Sequence, residues 1–173
     1  SSMLVRVLGI AAVAGGVLRI VDSFTAEIFS PSTLSLLYVV TDALLLLGIA
    51  GIYWSRRPRL GIAGTLGAAT FALGIIWIRI SASVMPGANG YQLGAAISLI
   101  GLGLLSVEEL PRDRALHPAP IFWLAALLFA IAGAFGVLVS LMTIAAGVAF
   151  GAGFVAAGRR VLANATPAVI PAR

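Results

Sequence analysis

Few side chains in this sequence could do chemistry, and their types and spacing limit which chemistry that is. Asp42 stands alone inside an apolar run from Thr33 to Trp54, about nine residues and so about 13 Å below its outer end at 1.5 Å per residue. A carboxylate at such depth costs about 2.5 to 3.5 kcal/mol if it faces lipid, so it belongs in a bundle interior or a wet cavity. Arg19 and Arg79 are its candidate partners in an intramembrane ion pair. Three readings of Asp42 stay open: a structural pair, a protonated acid bonded to a hydroxyl such as Thr41 or Thr70, and an acid that contacts a ligand or carries a proton. Arg19 can also pair with Asp22 three residues on, and Arg79 can snorkel to the headgroups. Glu108, Glu109, Asp113 and His117 form the one cluster that resembles acid, base or metal chemistry. A single histidine, no metal-ligand spacing and adjacent arginines make it a solvated loop and assign no metal. The remaining polar run is Asn89-Gly90-Tyr91-Gln92-Leu93. Because polar residues persist in lipid only with a reason, Gln92, Asn89 and Asp42 are the candidate ligand-binding residues.

These residues must be positioned by hydrocarbon. Of the 173 residues, 61% are hydrophobic and 10% charged, against about 25% charged in a soluble domain, which points to an integral membrane protein. With roughly 20 apolar residues per crossing, the pattern predicts an all-α bundle of six transmembrane helices in a single domain, residues 3–162. The expected spans are 4–21, 33–54, 60–80, 91–107, 121–139 and 141–158, and residues 163–173 form a cytoplasmic tail. Ser1-Ser2 before Met3 reads as a cloning remnant, and Arg19 interrupts the place where a signal-peptide cleavage site would fall. Ser30-Pro31-Ser32 is a helix-start signal. The apolar stretch Ile121 to Gly158 is too long for one helix and is divided here near Ser140.

There is no cysteine, which removes disulfides and thiolate chemistry. All eleven basic residues are arginines, which excludes Schiff-base chemistry. Nine of them fall at one end of a six-span topology, leaving Arg19 and Arg79 at the other, so the positive-inside rule puts both termini in the cytoplasm. The charge is thus a topology signal, with no nucleic-acid partner implied. Gly147 and Gly151 form a G-x-x-x-G pattern for close helix packing, either within the chain or as a homo-oligomer seam along the sixth helix.

The Asn89 to Leu93 run resembles the Asn-Asn-aromatic-Gln-Leu entry to the fourth helix of the insulin-induced gene (Insig) family, six-helix membrane proteins with both ends cytosolic. Further likenesses are the basic turn ending in Leu60-Gly61, the acidic and arginine-bearing connection after the fourth helix, and the small-residue sixth helix ending in Gly158-Arg159. The resemblance implies a protein that binds a sterol or another lipid in an intramembrane pocket, with Gln92 matching the family's pocket-lining glutamine. The family's acidic residues just before that glutamine are replaced by Pro86 and Ala88, which removes the implied route to a protein partner. The composition, rich in Ala, Gly and Arg, suggests a bacterial homologue in the cell membrane.

No G-x-S-x-G, Walker, H-E-x-x-H or paired-aspartate motif occurs, so neither an enzyme nor a cofactor is expected. The leading expectation is a non-catalytic protein that binds a membrane lipid or sterol-like ligand. The alternatives are a substrate-capturing subunit of a vitamin importer, docked through a small-residue face such as Ala11 to Gly15, and a proton or ion conductor using Asp42.

Overall fold

The computed structural model describes residues 2–25, 27–84, 88–112 and 116–165. Those residues form six helices and no strand: α1 Ser2–Asp22, α2 Pro31–Arg56, α3 Ile62–Val84, α4 Ala88–Arg112, α5 Ala119–Ala134 and α6 Val139–Ala165. Five are long and apolar enough to cross a membrane, and α5, with 16 residues, is the short one. Large side chains such as Leu36, Leu73 and Leu128 are each more than 60% exposed on the outside of the bundle, as a surface solvated by lipid tails requires. Asp113 and residues 166–173 lie outside the described residues.

Each helix packs against its neighbours in sequence, and α6 closes the ring on α1 while also touching α2. Consecutive helices run antiparallel, with Gly9 beside Val161 and Leu162 at one end of the α1–α6 pair and Gly16 beside Gly151 further along it. Both described chain ends therefore lie at one end of the bundle, together with Arg56, Arg57 and Arg59. Arg19 and Arg79 lie toward the other end.

Close backbone approach holds the α1–α6 pair. A Cβ on Gly151 would meet the Gly16 carbonyl oxygen and Ile20, and one on Gly16 would stand 2.9 Å from the Val155 amide nitrogen. Gly147 faces the Ser23 hydroxyl just beyond α1, so the G-x-x-x-G face is occupied within the chain. Along α2, Gly48 packs on Ala12 and Gly51 on Leu8, while Gly15 of α1 packs on Leu44 and Leu45. Tilted rings of Phe71, Phe150 and Phe154, with Trp123 edge-on to Phe154, lie 5.3 to 5.9 Å apart and fill the centre.

Ser30 caps α2 as its Ser-Pro-Ser signal predicts, accepting from the Thr33 amide at 3.4 Å. Several boundaries differ from expectation: α3 runs to Val84, past the expected 80, α6 runs to Ala165, past the expected 158 and into the expected tail, and two further differences have a local cause. The break between α5 and α6 falls at residues 135–138, before Ser140. Gly136 adopts φ +81°, the Val137 amide donates to the Ala132 carbonyl and the Gly136 amide to the Gly133 carbonyl, a Schellman cap that closes α5. The turn is apolar, with Phe135 84% exposed. The Phe135, Gly136 and Val137 amides are satisfied internally, as irregular backbone meeting lipid requires. The other difference is α4, which runs on through Glu108 and Glu109 because both carboxylates are buried and paired.

Candidate functional site

The acidic cluster after the fourth span is structural. Gly61 and Gly64 open α3 and have no side chain to cap its amides; the Glu108 carboxylate reaches across from α4 and accepts from both backbone N–H groups. That places one carboxylate on the positive end of the α3 dipole. Next to it, Arg56 Nη2 stands 3.0 Å from Glu109 Oε2, and Arg56 Nε donates to Glu109 Oε1 at 3.3 Å, both residues being buried. This corrects the solvated-loop reading: Glu108 and Glu109 tie the end of α2 and the start of α3 to α4. His117 remains exposed, and its carbonyl accepts from Arg160 Nε at 3.2 Å. No group of three or more metal-ligating side chains occurs among the described residues.

The larger cavity lies toward the opposite end. It measures about 650 Å³ and is walled by all six helices. Its body is apolar, formed by residues such as Leu45, Ile75, Leu99 and Phe129, with Phe150 joining it to the aromatic centre. Its polar groups are Arg19 from α1, Asp42 from α2, Tyr91, Gln92 and Ser98 from α4, and Thr143 from α6. The short α5 explains the space. Sixteen residues span only about 24 Å, less than the roughly 30 Å of a bilayer core. Ala130, Gly133 and Ala134 at its end, with Val139 and Thr143 at the start of α6, form that side of the wall.

The residues singled out from the sequence separate here. Asp42 is paired, with Arg79 Nε 2.8 Å from its Oδ2. Arg19 is not the partner: its Nη2 donates to the Tyr91 hydroxyl at 3.4 Å, and its guanidinium carbon sits 5.6 Å from the centre of the Phe150 ring. That ring position is within reach of a cation–π attraction. Gln92 lines the cavity. Asn89, one helical turn nearer the start of α4, is exposed and forms no part of the lining, so the fold does not bring it to the cavity with Gln92. Ser98 is buried, donating to the Gly94 carbonyl at 2.9 Å, and so is a spent polar group. Tyr91 escaped the sequence reading because an aromatic at a span end reads as an interfacial anchor. Its proximity to Arg19, 72 positions away, had no local signal.

Asp22 is buried at the end of α1; among the described residues neither of its carboxylate oxygens has a hydrogen bond of good geometry, and it interacts with the Thr41 hydroxyl and Arg19. It lies outside the cavity lining. A second, smaller cleft of about 270 Å³ separates α2 from α3 between Ile49, Tyr53 and Ala68, and is almost wholly apolar. The large cavity is thus the place where an apolar volume and several hydrogen-bonding side chains converge. No protein-family description, no curated protein and no solved structure matches the chain.

Proposed function

We propose that this is a non-catalytic, Insig-like protein of a bacterial cell membrane, with both termini cytoplasmic, that binds a membrane lipid or sterol-like amphiphile in the large cavity. The observation that carries the reading is the cavity itself: about 650 Å³, within the roughly 300 to 1,000 Å³ of small-molecule sites, apolar in its body and bearing Arg19, Asp42, Tyr91 and Gln92 on its wall. A tail occupies the apolar body while the head group meets those side chains. Exposed Gln92, Ala96 and Thr143 border the cavity, and a ligand enters sideways from the bilayer where α5 stops short.

Ligand binding acts by favouring one arrangement of the helices over another, and only to the extent that the ligand binds one of them better. The two alternatives draw less support. On the Ala11 to Gly15 face suggested for docking an importer partner, Gly15 is packed on Leu44 and Leu45 of α2 and Ala11 is buried. Asp42, the acid a conductor would use, has a guanidinium against it.

The test is to purify the protein, extract and identify the lipid that travels with it, and measure retention by Gln92→Ala. The expected result is one defined lipid class held by the wild type and held more weakly by the variant. A wild type free of any defined lipid and indifferent to added sterol or glyceride overturns the reading.

A further inference from the structure

The two opposite charges on the cavity wall are not equivalent. Asp42 is neutralised by Arg79 at 2.8 Å, whereas Arg19 has no carboxylate at salt-bridge distance among the described residues. Its contacts are the neutral Tyr91 hydroxyl and the face of Phe150. A guanidinium carries five donors in a planar fork and no acceptor, and here one long hydrogen bond uses one of them. Asp22, three residues on and buried outside the lining, and Asp42 on the wall both interact with Arg19 through space, but neither stands at salt-bridge distance from it among the described residues, so they offset charge without occupying those donors. By accepting from Arg19, the Tyr91 hydroxyl keeps its own proton free to donate. Gln92, the next residue on α4, adds an amide with no hydrogen-bond partner among the described residues. The wall therefore presents converging donors, one of them a cation in low dielectric, where a charge-assisted, two-pronged contact to a carboxylate is strongest.

Resting on the lipid-binding reading above, we propose that the preferred ligand carries an acid head group: a carboxylate on an apolar tail, with the acid held by Arg19 and Tyr91 and the tail in the cavity. A hydroxyl head group can accept one bond from Arg19 and donate its proton to an acceptor such as the Gln92 amide oxygen, but it forgoes the charge. A neutral ester accepts but forgoes the charge.

The experiment uses the full chain in detergent micelles with three probes that share one tail: oleate, methyl oleate and oleyl alcohol. Binding is measured by displacement of a fluorescent acyl probe at a pH where oleate is ionised. Hydrogen bonds to charged groups predict about ten- to a hundredfold tighter binding of oleate than of the alcohol. Arg19→Gln is expected to abolish that preference, with circular dichroism and tryptophan fluorescence reporting separately that the variant is folded. Tyr91→Phe is expected to reduce the preference a few-fold, and it serves where Arg19→Gln fails to fold. Equal binding of all three probes by the wild type overturns the acid-head inference and leaves the lipid-binding reading standing. Binding of none of the three overturns the acid-head inference, and a wild type that also carries no defined lipid and ignores added sterol and glyceride loses the lipid-binding reading as well. A preference for oleate that survives Arg19→Gln also overturns the assignment.

Discussion

Replacing Glu108 with alanine tests how α3 is held at its start. Gly61 and Gly64 cannot cap the helix themselves, and one carboxylate from α4 accepts from both amides, the service that a capping box normally divides between two side chains of the helix itself. Glu108→Ala strands two donors. Gly64 is buried and Gly61 half-buried, and a stranded buried donor costs about 1 to 3 kcal/mol, with water recovering part of the loss at the half-buried one. Loss of the anion from the helix N-terminus adds about 0.3 to 1 kcal/mol. The expected destabilisation is about 2 to 4 kcal/mol. Glu108→Gln keeps one acceptor oxygen but turns an NH₂ toward the second amide, and should fall about midway. The assay is the unfolding free energy from denaturing-detergent titration in mixed micelles, followed by tryptophan fluorescence. A Glu108→Ala variant within about 0.5 kcal/mol of wild type, the range of an ordinary surface substitution, would refute the capping role.

Three other outcomes follow from the packing. Glu109→Leu removes a buried partner of Arg56 and is expected to cost roughly 3 kcal/mol, most of it recovered in the Arg56→Met/Glu109→Leu double variant; the same titration reads both. Gly151→Val forces α6 off the Gly16 backbone and should cost about 1 to 3 kcal/mol or more, whereas Leu128→Val on the lipid-facing surface should be nearly neutral. Leu138 holds φ +40°, a left-handed conformation costing a branched side chain about 1 to 2 kcal/mol, so Leu138→Gly is expected to raise the unfolding midpoint.

The helices were readable from the sequence because each apolar run had to be long enough to span, and charges or prolines punctuated all but one boundary. The exception was the α5–α6 link. No polar residue marks it, and its signal is Gly136, whose positive φ closes a Schellman cap; Ser140, the more conspicuous polar residue, already lies inside α6. Glu108 and Glu109 misled for the complementary reason. Adjacent acids beside arginines look solvated in one dimension, and only the folded chain brings Gly61, Gly64 and Arg56 against them. At the cavity, Asp42 and Gln92 stood out because polar groups in lipid are costly. The choice of Arg79 over Arg19 as the acid's partner depends on how α2, α3 and α4 meet, which no local pattern encodes.

The central claim is that the cavity is a lipid site, and its most direct measurement is the mass of the intact protein released from micelles. Wild type is compared with Ala95→Trp, which places an indole into the cavity from α4. The account predicts a lipid-sized adduct on the wild type that is lost from a folded Ala95→Trp variant. An adduct carried equally by both, or absent from the wild type after expression in a lipid-replete membrane, would contradict it.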